Sequence, residues 1–266
     1  MKISIITICY NSSETLERTF QSMLSQEYNN IEYIVVDGGS TDKTLEIIKS
    51  YEPQFILKGV DFRWISEKDK GIYDAMNKGI KLATGNIIGI LNSDDYYHSE
   101  EILDKVITLF DKRPIDAIYG NLLMVKGKKK LFEVSGDIFE KVNGFTANKM
   151  KIVHPTLFVK KCVYENLGLF DDRFKISADK DFVIRMIKGS VVFEKTNEII
   201  TEMDIGGLTG KPSNFKILFR AMKENWWIGK NNGFGNIDTL YLVINVGYIR
   251  LRGLVKYKLL KIIGRG

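Results

Sequence analysis

The sequence predicts an α/β fold built on a mainly parallel sheet. Short apolar runs typical of buried strands alternate with segments whose apolar residues recur at helical spacing, and this alternation indicates a parallel sheet flanked by helices. Three of the first four predicted strands are followed by a carboxylate. Because the carboxyl ends of parallel strands meet at one edge of a sheet, these carboxylates predict a binding site at that edge.

The predicted elements follow in four strand-helix pairs. Strands are expected at 4–8, 31–36, 62–65 and 87–91, each followed by a helix-like segment. The second strand leads into Asp37-Gly38-Gly39-Ser40-Thr41-Asp42, where the two glycines allow a ligand to approach the backbone closely. The alternative for that stretch is a tight turn with an aspartate helix cap.

The fourth strand ends in Asn92-Ser93-Asp94-Asp95. Adjacent carboxylates at a strand end suit a hard divalent cation that also takes phosphate oxygens, which predicts a metal-diphosphate site. The alternative is a simple turn, with Ser99 as the cap of a helix over 99–111. An extended segment over 115–125 and a hairpin turn at the lysine-rich 126–130 are expected next.

Composition and charge narrow the class of protein. A chain of 266 residues with 44% hydrophobic residues can bury a sizeable core. Cys9 and Cys162 match no metal or redox spacing, and no signal peptide or membrane span is expected, so we predict a reduced, cytoplasmic setting. From Lys216 onward, ten Lys or Arg residues against Glu224 and Asp238 give a net charge of +8, although the whole chain carries only +6.

The basic C-terminal segment, residues 213–266, also carries an apolar stripe. Its aromatic and aliphatic residues are interleaved with Lys and Arg, which is typical of helices in contact with an anionic membrane surface. The alternative is a helix pair packed on the body or on a second copy, so homo-oligomer formation is left open. A nucleic-acid partner is not expected, because the remainder of the chain is slightly acidic.

Several stretches resemble the signatures of family 2 nucleotide-sugar glycosyltransferases of the bacterial capsule and exopolysaccharide type. They occur as an ordered set over roughly the first 210 residues. The stretches are Ile5-Ile6-Thr7-Ile8-Cys9-Tyr10-Asn11, Val35-Val36-Asp37-Gly38-Gly39-Ser40-Thr41-Asp42, Asp69-Lys70-Gly71-Ile72-Tyr73-Asp74-Ala75-Met76-Asn77-Lys78-Gly79 and Leu91-Asn92-Ser93-Asp94-Asp95. The resemblance implies the GT-A fold, a Rossmann-like, mainly parallel mixed sheet flanked by helices, here with a basic helical tail.

The resemblance also implies roles for individual residues. Asp37 is expected to contact the nucleotide base or ribose, Asp69 to line the same pocket, and Asp94 to be the main metal ligand with Asp95 beside it. Many relatives carry Asp where this chain has Asn92. The full set of residues expected to bind the nucleotide sugar is Thr7, Tyr10, Asn11, Asp37, Asp69, Lys70, Asn92, Ser93 and Asp94.

A second stretch, Ile176 to Arg185, resembles the family's helix-start motif, which carries the catalytic base. Asp179 takes the base position, and Ala178 replaces the usual Glu before it. Asp181 and Arg185 are spaced to pair on a helix. Asp181 is also a candidate for contact with donor or acceptor, as is His154, by analogy with histidine-containing stretches of related transferases.

The sequence therefore predicts an inverting, metal-assisted glycosyltransferase. It is expected to use Mn²⁺ or Mg²⁺ and to act on a saccharide or lipid-linked acceptor at the inner face of the cytoplasmic membrane. The resemblance implies a UDP-sugar as the donor, and GDP- and dTDP-sugars stay open as alternatives. The expected domains are 1–212 (a nucleotide-sugar half over about 1–112 and an acceptor half over about 113–212) and the extension 213–266. The alternatives are a sugar-phosphate nucleotidyltransferase, although the loop after the first strand lacks the basic residues to grip a triphosphate, and a non-catalytic membrane-associated scaffold.

Overall fold

A computed structural model describes residues 1–127, 129–138, 146–147, 153–204 and 215–248. The strands are β1 (Ile3–Cys9), β2 (Ile31–Asp37), β3 (Asp61–Ser66), β4 (Ile87–Ile90), β5 (Asp95–Tyr97), β6 (Ala117–Lys126), β7 (Lys129–Ser135), β8 (Phe158–Lys160) and β9 (Phe193–Asp204). The helices are α1 (Leu16–Leu24), α2 (Thr44–Leu57), α3 (Ile72–Leu82), α4 (Ile102–Lys112), α5 (Lys161–Leu167), α6 (Ala178–Lys188), α7 (Phe215–Asn231) and α8 (236–248), with a 3₁₀ turn at His154–Thr156.

The strands form one mixed sheet in the order β3-β2-β1-β4-β8-β6-β9-β5, with β7 paired to β6. The first four strands of that order are parallel, and β6 also runs parallel to β9. Strand β8 joins the two parallel groups through antiparallel pairs with β4 and β6. The predicted α/β sheet is confirmed, and the carboxyl ends of β1 to β4 lie along one edge.

The core is divided between the two faces of the sheet. Alternate residues of a strand point to opposite faces: Ile6 and Ile34 belong to one buried cluster, Ile5 and Tyr33 to the other. The first cluster includes residues of α3, α6, α7 and α8, whereas α1, α2 and α4 contribute to the second. Strands β1 and β2 are buried along their whole length, which explains why they appear in the sequence as continuous apolar runs.

Two local predictions differ from the structure. Asp95 to Tyr97 form the short strand β5 against β9 rather than continuing a turn, since the edge of β9 supplies backbone partners. Helix α4 begins at Ile102 rather than at Ser99, whose carbonyl accepts a hydrogen bond from the Gln26 side chain instead. Strands β8 and β9 and helix α5 were not singled out from the sequence.

The described part of the predicted C-terminal extension packs on the body. Ile228 of α7 and Leu242 of α8 are fully buried in the same cluster as Ile6. A Cβ at Gly229 would lie 2.7 Å from Thr239 Oγ1, so the two helices pack closely at this point. Among the described residues we find no helix that could span a bilayer. The basic end that was predicted to contact lipid, 250–265, lies outside the described residues.

Candidate active site

The loops that follow β1 to β4 are bonded to one another at the sheet edge. The Asn11 backbone N–H donates to Ser40 Oγ (2.8 Å), and the Asn11 side chain accepts from the Thr41 N–H (2.9 Å). The hydroxyls of Ser12 and Ser93 are 2.8 Å apart. The structure therefore brings Asn11 and Ser93, two predicted binding residues from distant parts of the sequence, into one connected rim.

Asp37 supports this rim from beneath. It is fully buried, and its Oδ2 accepts hydrogen bonds from the N–H groups of Gly39 (3.1 Å) and Ser40 (3.0 Å) and from the hydroxyl of Ser66 (2.6 Å). Its Oδ1 accepts from the Ser40 hydroxyl. In this structure Asp37 shapes the β2 loop, and its expected contact with the nucleotide stays a prediction.

Thr7 and Asp181 are also buried side chains. Thr7 is fully buried, and its hydroxyl bonds to that of Tyr33 (2.9 Å) inside the core. Asp181 is 4% exposed and forms the predicted ion pair with Arg185 (2.8 Å). Its other oxygen accepts from the Asn232 side chain (2.9 Å). Both side chains contribute to the packing of the fold, and their expected contact with substrate stays a prediction.

Tyr10, Gly38 and Asp69 form an open wall at the same edge. The Tyr10 side chain is exposed, and its Cδ2 lies 3.4 Å from where a Cβ on Gly38 would be. Asp69 Oδ1 accepts from the Gly71 N–H (2.8 Å), while Oδ2 lies over Gly38. An exposed aromatic face beside a half-exposed carboxylate can stack a planar base and accept its N–H. The neighbouring Lys70 side chain is exposed.

The carboxylates after β4 differ in exposure. Asp94 is half-buried, whereas Asp95 is fully buried with Oδ2 accepting from the Asn92 side chain (2.8 Å). Burial raises the pKa of Asp95, and the neighbouring Asp94 raises it further. Burial likewise raises the pKa of Asp94, with the charge of Asp204 acting in the same direction.

This group of oxygens fits a hard divalent cation. Asp95 Oδ1 and Asn92 Oδ1 are buried acceptors without a hydrogen-bond partner among the described residues. Such atoms are costly to leave unpaired, and a cation would satisfy them and offset the repulsion between Asp94 and Asp95. All-oxygen donors suit Mg²⁺ or Mn²⁺. Across the described ranges, no ready-made cluster of three or more His, Cys, Asp or Glu side chains surrounds this point, so substrate phosphate or water would complete the coordination shell.

Asp179 lies at the start of α6, next to the loop that contains Asp69. The hydroxyl of Tyr73, in the first turn of α3, donates to Asp179 Oδ1 (3.1 Å). The Lys175 ammonium donates to the Lys70 carbonyl (2.8 Å), which ties the segment before α6 to the loop after β3. A half-buried carboxylate in this position can accept a proton from a nearby hydroxyl.

His154 lies within the electrostatic range of Asp179. Burial lowers the pKa of His154, although the charge of Asp179 acts in the opposite direction. Its ring packs against Phe170 with ring centres 5.6 Å apart. His154 is half-buried beside the segment of Asp179, and its expected contact with donor or acceptor stays a prediction.

Tyr73, Lys180 and Glu224 contact the segment around Asp179 but were not predicted as site residues. Tyr73 lies in the stretch Asp69 to Gly79, which resembles a family signature, and this position is the feature of the sequence that could have identified it as a site residue. Glu224 was visible as a lone acidic residue among the lysines of 216–230. Nothing in the local pattern connects Lys180 to Asn225, which accepts from its ammonium (3.1 Å).

Comparison with known proteins identifies the family. Residues 4–165 match the family model for glycosyl transferase family 2. An uncharacterised glycosyltransferase of Mycobacterium tuberculosis is 33% identical over 186 residues, which cover 69% of this chain and 68% of that protein. The chain is a family 2 glycosyltransferase. A PGL/p-HBAD biosynthesis glycosyltransferase of Mycobacterium bovis is 28% identical to this transferase, covering 77% of the chain and 78% of that protein.

Solved structures confirm the GT-A fold of this family 2 transferase. Staphylococcus aureus TarS 1–349, in complex with UDP-GlcNAc, superposes with a TM-score of 0.66 at 20% identity over 85% of this chain. The match spans 66% of that fragment, and 39% of the longer TarS chain. The mannosyltransferase PcManGT from Pyrobaculum calidifontis, in complex with GDP-Man and Mn²⁺, has a TM-score of 0.64 at 16% identity, covering 95% of this chain and 72% of that one.

Proposed function

We propose that this transferase moves a sugar from a UDP-sugar to a hydroxyl of a lipid-linked or polysaccharide acceptor in a single inverting displacement. The observation that carries the proposal is the position of Asp179. It is half-buried, oriented by Tyr73 and held beside the loop of Asp69, at the end of the wall that suits a nucleobase. A carboxylate so placed is suited to act as general base.

Each part of the site has a task in this reaction. Tyr10 stacks on the base, and Asp69 accepts its N–H. The rim of Asn11 and Ser93 faces the ribose and diphosphate. Asp179 takes the proton of the acceptor hydroxyl as that oxygen attacks the anomeric carbon, and the bond to the nucleoside diphosphate breaks on the opposite side. The sugar is thereby transferred with inverted configuration.

We assign Asp94 and Asp95 as the ligands of a divalent cation, with Asn92 beside them. When bound, Mn²⁺ or Mg²⁺ neutralises charge that develops on the departing diphosphate. The partnerless oxygens of Asp95 and Asn92 support this assignment. The Mn²⁺ held by PcManGT is consistent with it. No protein acid is then needed at the leaving group, unlike the paired carboxylates of glycosidases.

The donor assay tests these roles. Nucleoside diphosphate release is measured with UDP-GlcNAc, UDP-glucose, GDP-mannose and dTDP-glucose, in Mn²⁺ and in EDTA. We expect one UDP-sugar to be turned over in Mn²⁺. Asp94→Asn should lose metal-dependent donor binding, and Asp179→Asn should keep binding but lose transfer. The exposed Asp111→Asn is the control and should behave as wild type.

The same assay separates the remaining alternative. A non-catalytic scaffold would leave every donor intact and would be indifferent to Asp179→Asn. Turnover that is equal in EDTA would overturn the metal assignment alone, and preference for GDP-mannose would overturn the choice of UDP.

We further propose that the outer face of α7 binds an anionic membrane surface, which would place the enzyme at the inner face of the cytoplasmic membrane. Phe219, Trp226 and Trp227 are 65%, 41% and 50% exposed on this face, and they alternate with the exposed cations Lys223 and Lys230. Aromatic rings and cations on one helix face suit the headgroup region of anionic lipids. An acceptor tethered to lipid would be presented there.

Vesicle sedimentation tests this proposal. Vesicles containing phosphatidylglycerol should sediment the wild-type protein, pure phosphatidylcholine vesicles should sediment much less, and the double variant Trp226→Ser/Trp227→Ser should remain in solution. Deletion of 213–266 is a poor test, because Ile228 and Leu242 belong to the core. Equal sedimentation of wild type and the double variant would overturn the proposal, and concentration-dependent dimers would indicate that a second copy covers the face instead.

A further inference from the structure

The inner face of α7 touches the segment that leads to Asp179. Glu224 is 5% exposed, and its carboxylate accepts hydrogen bonds from three consecutive backbone N–H groups. Lys175 donates to Oε1 (2.8 Å), and Ile176 and Ser177 donate to Oε2 (3.0 and 3.1 Å). Hydrogen bonds to an ionised acceptor are roughly twice as strong as neutral ones. Three of them hold the backbone that ends two residues before Asp179.

Tyr73 bonds directly to the carboxylate of Asp179. Its ring projects from α3 into the buried core cluster. Burial raises the pKa of its hydroxyl, so the phenol remains a hydrogen-bond donor at neutral pH. Asp179 Oδ1 accepts from this hydroxyl (3.1 Å) and from the Lys180 N–H (2.8 Å). Within the described ranges Oδ2 makes no hydrogen bond, which leaves it for the acceptor proton.

A third contact fixes the residue after Asp179. The Lys180 ammonium donates to the side chain of Asn225 (3.1 Å), which follows Glu224 on α7 and is itself 2% exposed. Burial lowers the pKa of Lys180 to about 8. The chain on both sides of Asp179, at the 175–177 backbone and at Lys180, is thus anchored to two successive residues of one helix.

We propose that Glu224 and Tyr73 are positioning residues for Asp179. Helix α7 follows the segment expected to hold the active site, and through Glu224 it is part of that site. The inference rests on the proposed role of Asp179 as base. A general base must lie within hydrogen-bond reach of the proton that it takes, and misplacement by about 1 Å costs on the order of 100-fold in rate. Loosening the backbone before Asp179, or releasing its Oδ1, produces such a displacement.

Two variants test the two contacts separately. Glu224→Gln places an amide donor against backbone N–H groups, and Tyr73→Phe removes only the hydroxyl. We expect each to lower kcat for nucleoside diphosphate release by about tenfold or more, with unchanged KM for the fastest donor of the panel. Tyr73→Phe should also move the acid limb of the pH–rate profile to higher pH, because the carboxylate loses a hydrogen bond that favours its ionised form.

Matched controls exclude general damage to the fold. Arg220→Gln changes an exposed residue one turn before Glu224 on α7, and Tyr164→Phe removes a hydroxyl from a buried tyrosine that stacks on Phe182 of α6. Both should retain wild-type kcat and pH profile. Melting temperatures are measured for all four variants, and if Glu224→Gln is too unstable to assay, Tyr73→Phe decides the question.

The outcomes separate this inference from the proposed function. If Asp179→Asn transfers sugar as well as wild type, the assignment of the base fails and the inference fails with it. If Asp179→Asn is inactive while Tyr73→Phe and Glu224→Gln keep wild-type kcat and pH profile, only the positioning role is overturned. A rise in KM with unchanged kcat would also overturn it, because that pattern indicates a role in donor binding.

Discussion

The carboxylate of Asp69 occupies the space that a side chain on Gly38 would need. A Cβ at Gly38 would lie 2.4 Å from Asp69 Oδ2, well inside contact distance. The glycine is required here by this close approach, since its φ is not positive. A residue after β2 and a residue after β3 are thereby coupled in one wall of the proposed nucleotide site.

Gly38→Ala should weaken donor binding with little effect on stability. The added methyl group displaces the end of a short, half-exposed side chain, so the clash is relieved by moving Asp69 rather than the core. We expect the donor Kd, measured by calorimetric titration, to rise about tenfold, which corresponds to about 1.4 kcal/mol. Gly235→Ala, whose Cβ would have its nearest neighbour 3.9 Å away, is the control. In an Asp69→Ala background Gly38→Ala should have no further effect, and additive losses would contradict the coupling.

Gly79→Ala should destabilise the whole fold. A Cβ at Gly79 would lie 2.3 Å from Ile6 Cγ2, where α3 crosses β1 in the core. Alanine favours a helix interior over glycine by about 1 kcal/mol, but overpacking a core costs about 1–3 kcal/mol. We therefore expect a net loss of up to about 2 kcal/mol in the free energy of unfolding, measured in urea. A variant more stable than wild type would show that α3 can move away from β1.

Glu32→Gln should lower stability in a pH-dependent way. Glu32 is fully buried at the amino ends of the strands. Burial raises its pKa, but hydrogen bonds from Ser4 and Thr84 and the charge of Lys2 outweigh this effect. The pKa of Glu32 is therefore lowered overall. A carboxyl group with a lowered folded-state pKa contributes stability above its unfolded value of about 4.3 and loses it as the pH falls through the folded value.

The Glu32 measurement compares urea unfolding of wild type and Glu32→Gln at pH 7 and pH 3. We expect a difference of about 1–3 kcal/mol at pH 7, shrinking at pH 3. The control, Glu165→Gln, changes a 60% exposed side chain 3.9 Å from Lys161, and should have little effect at either pH. A difference for Glu32→Gln that stays constant with pH would indicate lost packing rather than lost charge.

Asn92→Asp should make the fold depend on a divalent cation. The Asn92 side chain donates to Asp95 Oδ2 (2.8 Å), and a carboxylate in its place would set two acceptor oxygens against each other beside a buried charge. In EDTA we expect a melting temperature several degrees below that of wild type. Added Mn²⁺ should raise it more than it raises the wild-type value. Asn231→Asp, at an exposed position, is the control, and an equal Mn²⁺ response in both proteins would argue against a cation at this point.

The strand-helix alternation, the edge at which the polar loops meet, and the family were all predictable from the sequence. These properties depend on local periodicity and on ordered motifs, and the long buried strands β1 and β2 made the pattern unusually clear. The short strand β5 was not predictable, because three residues carry too little periodicity and β5 exists only through its pairing with β9.

The residue types at the site were likewise determined by the sequence, but their exposure was not. Asp37, Asp69, Asp94 and Asp95 look alike in the chain, yet Asp37 is fully buried and holds the β2 loop through hydrogen bonds, whereas Asp69 is half-exposed. Glu224 lies 45 residues after Asp179 and reaches its segment only because α7 folds back onto α6. Hydrogen bonding and burial depend on which neighbours surround a side chain in space. Only the tertiary structure therefore decided which carboxylates are open to a ligand and which hold loops and helix starts in position.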